Sequence, residues 1–535
     1  MKRDIIFGDD ARARLYTGVN KLASAVRVTM GPSGQNVLIE RTDAPPHLTK
    51  DGVSVAEAVQ LRDKYENLGA QIVKEAAQRT ADTAGDGTTT ATVLAHSMYT
   101  EGLKMIAAGM SATEICRGID AASRRVEAEV RRMSKDVESD ADVAHVGTIS
   151  ANGDASIGSL LCKAVRAVGP TGAVTVEDAR GFETTLELTE GIHLDRGYIS
   201  PYFITNQDKM TSELSNPLVF LANKKLSSLK EILPVLEAAH EMRRPLLIVA
   251  DDIENEAAQS LVVNKLKGTL QVCAIKSPEF GELRITALQD LAVMFGAKVH
   301  TPADFAVGSI STDGLGTCKR VVVTKGTTTI IADEKFKTDI ASRIEMLRTV
   351  LGGADEIASA ARSISRLSDG IAVIKVGGAT EIELKERKDR VDDALCATQA
   401  AIADGILPGG GVALIRAAAR LGNLGAGMSD DFNCGVKIVQ TACQEPLRQI
   451  VVNTGGAPEL VLGKVRRQKD GKGYDARSGR YVDMLEAGII DPTRVVCSAI
   501  SNAASAARNL LSVGCAMTFE DDPTPPEAGG LLEVE

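Results

Sequence analysis

"TAGDGTTTATVLAHSM", residues 83–98, is the stretch whose reading decides the rest of the chain. Gly85-Asp86-Gly87 is followed by Thr88, Thr89 and Thr90, and the residues after them read as a helix. A helix start offers unpaired backbone N–H groups and the positive end of the helix dipole, both suited to phosphate. The glycines permit close backbone approach, and the threonines add hydroxyl donors. The carboxylate at the centre would repel a phosphate. It makes sense if a Mg²⁺ ion lies between, because Mg²⁺ takes a few carboxylate oxygens together with phosphate oxygens and water. The alternative is that Asp86 simply caps the helix, as Asp commonly does. The chain has no G-x-x-x-x-G-K-[ST] run, so this is not a P-loop.

Bulk properties narrow the setting of that loop. The 535 residues suggest about three domains. Hydrophobic residues make up 44% and charged residues 25%, an ordinary globular balance. A net charge of −10 argues against electrostatic binding to nucleic acid. Aromatics at 3%, with no Trp, argue against base-stacking platforms. The nine cysteines are scattered without Cys-x-x-Cys, which reads as free thiols in a reducing compartment. The six histidines show no metal spacing. "MKRDIIFGDDARARL" carries charges where a signal peptide needs an apolar core, and no apolar run is long enough to cross a bilayer. The expectation is a cytoplasmic protein with no membrane partner.

The texture changes along the chain. Residues 9–30 read as a helix, with Ala11, Leu15, Val19, Leu22 and Val26 at three- and four-residue spacing. A turn, Gly31-Pro32-Ser33-Gly34, and a strand near 36–40 follow, and then helices from 54 to about 134. Residues 171–210 are strand-rich. Between 219 and 333, apolar β-branched runs alternate with helices; "RPLLIVADD" and "LQVCAIKS" read as buried strands, and "KRVVVTKGTTTIIAD" as a hairpin. Helices are expected at about 335–351 and 355–367, a strand after Gly370, and helix again from Glu381 to about 425, broken by "PGGG" at 408–411. The acidic end, "FEDDPTPPEAGGLLEVE", reads as a frayed tail. Helical ends thus flank an α/β centre.

Other segments carry chemistry to match the loop. "TMGPSG" at 29–34 is a second turn with exposed backbone groups, and "TKDGVSVAEA" sets Lys50 beside Asp51 before a helix. "VDDALCATQAAIADGILPGGGVALI" supplies Asp392, Asp393 and Gly409, Gly410 and Gly411. Each alone reads equally as an ordinary turn or a solvated helix face. Together, and in order with "VGTISAN", "DRGYISPYF", "AVIKVGGATE", "EPLRQIVVN" and "GIIDPTRV", they closely resemble the group I chaperonins, the GroEL-type family, over nearly the whole chain.

The resemblance implies a multidomain α and α/β chaperonin fold. A helical equatorial ATPase domain would span 1–133 and 404–535, and an intermediate hinge domain 134–190 and 371–403. An inserted α/β apical domain would span 191–370, with Gly191 and Gly370 at its hinges. It implies that Asp86 binds Mg²⁺ and that Thr29, Met30, Gly31 and Pro32 line ATP. Lys50 would lie near the phosphates, and Gly87, Thr88, Thr89 and Thr90 would contact them. Gly410, Asp475, Ala476 and Asp491 would surround base and ribose. Asp393 would orient the attacking water, and Asp51 would be a second carboxylate needed for hydrolysis. K⁺ is a further candidate cofactor. Non-native polypeptides would bind an apical surface of Tyr198, Tyr202, Phe203, Leu233, Leu236, Ala258, Val262 and Val263. From periodicity alone, core packing explains the apolar residues of "LKEILPVLEAA" and "NEAAQSLVVNKL" better. The implied partners also include identical subunits in single or double seven-membered rings, and a co-chaperonin. Departures from the family pattern are Ser33 for Lys, Asp475 for Asn, a small residue at Ala258, and Ala457 opposite Arg448; Lys104 and Asp430 keep the other ring contact. Two competing classes are a passive binding scaffold, which the retained Asp51, Asp86 and Asp393 argue against, and a metabolic phosphotransferase, for which no acceptor pocket is recognisable.

Overall fold

Ala11, Leu15, Val19, Leu22 and Val26 all face the core from helix Gly8–Val26. The computed structural model describes residues 3–40, 46–169, 173–179, 181–207, 209–306, 314–349, 359–360, 362–364, 366–367, 370–422 and 424–519. The first helix is shorter than its expected span. It gives way to a 3-10 turn at Arg27–Thr29, where the Thr29 hydroxyl donates to the Val26 carbonyl at 2.9 Å. That tightening delivers Met30 and the turn after it to the site described below. The chain divides into two compact units, one built from residues 1–162 and 378–535, the other from 163–377.

The first unit is mainly helical. Helix Lys64–Ala84 starts at Asp63, whose carboxylate accepts from the N–H groups of Tyr65 and Glu66, and stops at Gly85, φ +72°. It crosses the first helix backbone to backbone. A Cβ on Gly18 would lie 1.7 Å from the Glu66 carbonyl oxygen, and one on Gly69 2.2 Å from that of Leu15. Helices Thr88–Ala107, Ala112–Met133, Asp430–Ala442 and Thr493–Leu511 complete one shared core. Leu22, Leu94, Ile119 and Ile500 are fully buried within it. Truncating one such side chain to Ala costs about 2–5 kcal/mol. Four two-stranded antiparallel sheets trim this unit: Arg3–Phe7 with Cys515–Phe519, Val37–Ile39 with His47–Thr49, Ile406–Pro408 with Ile490–Pro492, and Lys472–Asp475 with Arg480–Asp483. Helix Glu381–Asp404 also belongs to it.

The second unit is α/β. Strands Leu218–Leu226, Leu246–Ile253 and Val272–Lys276 run parallel, with Val299–His300 on the far side of the first. Helices Leu233–Glu241, Asn255–Leu266 and Gly281–Phe295 connect them. Both faces of a sheet built from such crossovers are covered, which is why "LLIVA" is a continuous buried run. A six-stranded sheet adjoins in the order Ala173–Asp178, Gly370–Val376, Thr185–Leu194, Thr328–Ile331, Arg320–Val323, Ser212–Ser215. The expected hairpin at 320–331 is present. Gly191 and Gly370 both lie in paired strands of this sheet. Helix Lys337–Arg348 is observed. The expected Gly352-Gly353 joint, part of the helix after it, and the tail from 520 lie outside the described residues. Among the described residues no helix is long and apolar enough to cross a membrane, and none of the nine cysteines is in a disulfide.

Candidate functional site

The phosphate-loop helix begins at Thr88, and its cap is Gly87, not Asp86. Gly87 sits at φ +91°, and no side chain caps the helix. The Asp86 carboxylate accepts from the N–H of Gly87, at 2.5 Å, and from no N–H of the helix's first turn. The capping reading of Asp86 is therefore overturned: a residue one position too early cannot reach the N–H groups of the first turn, which stay available to a ligand. Gly87 cannot be replaced without conflict, since a Cβ would lie 2.7 Å from Val495 Cγ1.

Every nucleotide-site residue expected above lines one cavity of about 450 Å³, together with Asp51 and Asp393. The size suits a small ligand. Asp51 caps helix Gly52–Ala58, accepting from Val53 N at 3.0 Å and Ser54 N at 2.8 Å. This brings Gly52 against the phosphate helix, where a Cβ would meet Thr89 Oγ1 at 2.4 Å. Thr29 Oγ1 lies 3.3 Å from Thr89 Oγ1 and ties the second turn to the first. Helix Glu381–Asp404 contributes Asp393, and Gly409 packs so closely on Asp491 that a Cβ would sit 2.9 Å from its Oδ1. Ser33, a departure from the family pattern, is exposed and is not part of the lining.

Seven acidic side chains and three basic ones, Lys50, Arg390 and Arg477, line this cavity. The crowding shows in their proton affinities. Asp393 is pushed well above the usual carboxylate range by burial, and further by the charges of Asp51, Asp86, Asp392 and Asp389. Asp491 is pushed up to about 7 by burial and by Asp86. Burial also raises Asp86, against the Gly87 N–H and the Ser150 hydroxyl, which favour its charge. Asp475 goes the other way. Burial opposes its ionisation, but bonds from Ser478 and the N–H groups of Arg477 and Ser478 hold it below the usual range.

Such an acidic cavity accepts a polyphosphate only with added cations. Among the described residues there is no cluster of three or more His, Cys, Asp or Glu able to cage a metal by themselves. Mg²⁺ needs only one or two carboxylates when phosphates complete its shell, and Asp86 fits that role. Several lining residues were not named as site residues from the sequence: Gly153, Arg390, Tyr474 and Arg477, together with Ser150 and Asn152 of "VGTISAN". Asn453 was also missed. Its Nδ2 donates to the carbonyls of Arg27 (3.0 Å) and Met30 (2.8 Å), fixing the "TMGPSG" turn from behind.

In the α/β unit the expected polypeptide surface is only partly at the surface. Tyr202, Leu233 and Val263 are exposed, at 64%, 43% and 46%. Tyr198, Ala258 and Val262 are half-buried. Phe203 and Leu236 are core residues, 0% and 8% exposed, and back the surface instead of forming it. The reason is local: residues 201–203 form a 3-10 turn that aims Phe203 inward beside outward Tyr202. Lys265 holds the turn, its Nζ donating to the Tyr202 carbonyl at 2.8 Å. Leu266, at 67%, extends the exposed apolar strip and was not anticipated. Elsewhere Arg448, opposite Ala457 in the expected ring contact, is paired within the chain to Glu445 and, at 2.8 Å, to Glu459; Lys104 pairs with Glu101 at 2.6 Å.

A helical unit interrupted by an α/β insertion, with an acidic, threonine-rich cavity at a helix start, is the architecture of a chaperonin. The chain belongs to the TCP-1/cpn60 chaperonin family, matching it over residues 22–518. It is similar in fold to the chaperonin gp146 of bacteriophage EL (Pseudomonas aeruginosa), crystallised in the presence of ATP-BeFx. One crystal form gives a TM-score of 0.66 at 23% identity, covering 97% of this chain and 99% of that one. A second form gives 0.61 at 22%, with the same coverage. These findings bear out the chaperonin resemblance and the multidomain α and α/β fold class.

Proposed function

We propose that the protein is an ATP-dependent molecular chaperone that captures non-native polypeptides and promotes their folding in a ring-shaped chamber. The observation that carries the ATP reading is the uncapped start of helix Thr88–Ala107, with Asp51, Asp86 and Asp393 around the same cavity. Phosphoryl transfer to water mainly needs positioning and charge neutralisation. The first-turn N–H groups and the hydroxyls of Thr88, Thr89 and Thr90 would hold the phosphates, and Lys50 would add a positive charge. Asp86 would hold Mg²⁺, whose chemistry is to neutralise the phosphates; K⁺ is a further cation for the site. Asp393 would orient the attacking water, and its raised proton affinity suits a group that accepts a proton. Asp51 supports the same step. That gp146 was crystallised in the presence of ATP-BeFx agrees with this reading.

The exposed strip of Tyr202, Leu233, Val263 and Leu266 would receive apolar segments of unfolded chains and the co-chaperonin. Assembly into seven-membered rings, single or double, is supported by the sheets Arg3–Phe7/Cys515–Phe519 and Val37–Ile39/His47–Thr49. Each has only two strands and exposed apolar residues, among them Phe7, Phe519, Leu38 and Leu48. Such sheets gain stability when their edges pair. The three-domain division at residues 133/134, 190/191, 370/371 and 403/404 remains part of this proposal. Asp393→Ala tests it: ATP binding should persist while turnover falls by about 10²–10⁴. Near-normal steady-state hydrolysis would remove Asp393 from this role.

A further inference from the structure

The turn after helix Asp140–Ser150 forms one wall of the nucleotide cavity and is held at both ends. At one end Ser150 lies beside Asp86 of the phosphate loop, where its hydroxyl favours the charged carboxylate, and both line the cavity. At the other, Arg477 Nη2 donates to the Asn152 carbonyl oxygen at 3.3 Å. Asn152 and Gly153 both have left-handed backbone, φ +55° and +87°. The guanidinium lies directly over Gly153: a Cβ there would be 1.4 Å from Nη2 and 2.5 Å from Cζ. Glycine at 153 thus does two things, accepting the positive φ and leaving room for the arginine.

Arg477 is aimed from the opposite wall. It sits in the turn between strands Lys472–Asp475 and Arg480–Asp483. Asp475 fixes that turn, its Oδ1 accepting the Arg477 N–H at 2.9 Å and its Oδ2 the Ser478 hydroxyl. Asp475, Arg477, Asn152 and Gly153 all line the cavity that also holds Asp86. A continuous strap results, running from the phosphate loop through Ser150 and Asn152 to Arg477 and the hairpin.

We propose that Arg477 is a positioning residue that retains the nucleotide by closing this strap, and that the nucleotide leaves when the Arg477–Asn152 contact opens. The role rests on the reading of the cavity as an ATP site. The Arg477 end is the one that opens, because it is a single bond from an exposed side chain to a neutral carbonyl, while Ser150 is the last residue of helix Asp140–Ser150 and is fixed by it. A contact of that kind corresponds to about a five-fold change in rate.

The test is stopped-flow release of a fluorescent ADP analogue from the full-length protein with Mg²⁺. Arg477→Ala should release it about three- to ten-fold faster. Gly153→Ala, which pushes the guanidinium off the turn while Arg477 is still present, should do the same. The double variant should be no faster than the faster single one, because both remove one contact. Arg477→Lys, which keeps one charged donor, should recover part of the retention. Wild-type release from Arg477→Ala, or effects of the two substitutions that multiply, would overturn the proposal while leaving the ATP site standing. A wild-type protein that does not bind the analogue overturns the ATP reading itself, and the strap's role with it.

Discussion

Phe203→Ala and Tyr202→Ala alter neighbouring aromatic residues in one 3-10 turn, and the structure gives them opposite consequences. Phe203 is fully buried in a core with Ile192, Leu194 and the parallel sheet. Deleting a buried phenyl ring typically costs about 3–5 kcal/mol, as lost transfer free energy plus the cavity left behind. Tyr202 is 64% exposed, and an exposed substitution changes stability by about 0.5 kcal/mol or less. Amide hydrogen exchange on the full-length protein separates the two. Peptides covering the central strand Leu246–Ile253 should exchange about 10²–10⁴-fold faster in Phe203→Ala, since each 1.36 kcal/mol is a factor of ten. Tyr202→Ala should leave those peptides unchanged and weaken capture of a chemically unfolded client, measured as suppression of its aggregation. If Phe203→Ala leaves exchange unchanged and weakens capture as much as Tyr202→Ala does, Phe203 belongs to the surface and the burial argument fails.

Leu233→Glu combined with Val263→Ser should abolish client capture and spare ATP hydrolysis; retained capture would exclude this strip as the binding surface. His96 gives a pH signature. Burial, reinforced by the Arg27 charge, lowers it from 6.5 to about 4. Its contribution to stability is therefore complete above pH 6.5 and is lost as pH falls from there toward 4, because the unfolded chain takes the proton first. His96→Gln should shrink the loss of stability between pH 7 and pH 5 by up to about 2 kcal/mol, read from urea midpoints; an unchanged difference would mean that the ring is hydrated. Native mass spectrometry should show seven or fourteen subunits, and Leu38→Asp with Leu48→Asp should shift the protein to smaller species; intact rings in that variant would remove the hairpin from the interface.

The cavity was legible because its ligands sit on short local motifs whose backbone form follows from Gly, Asp and Thr in fixed order. Gly85-Asp86-Gly87 and Lys50-Asp51-Gly52 each place their carboxylate by local geometry alone, and the cavity lining includes every residue of the two motifs except Gly85. What stayed hidden were residues that act through distant partners. Asn453 is a polar residue near a helix end until it is seen bonding two carbonyls more than 400 positions away. Arg477 reads as an ordinary turn residue until its guanidinium is found over Gly153. The apolar surface was half legible. Periodicity marks Ile232, Leu233, Leu236 and Val263 alike as apolar, but only packing separates Ile232 at 0% exposed from Leu233 at 43%.

By itself the sequence determined the alternation of helical and α/β regions, and the phosphate loop and its carboxylates. These follow from local backbone preference and from side-chain spacing, which act over a few residues. Tertiary structure decided that Gly87 and not Asp86 caps the helix, that Phe203 turns inward, and that the proton affinities of Asp393 and Asp491 both rise. Those outcomes depend on which side chains exclude water from which, and on charges brought close from separate stretches of chain. No spacing rule encodes such distances before the chain has packed.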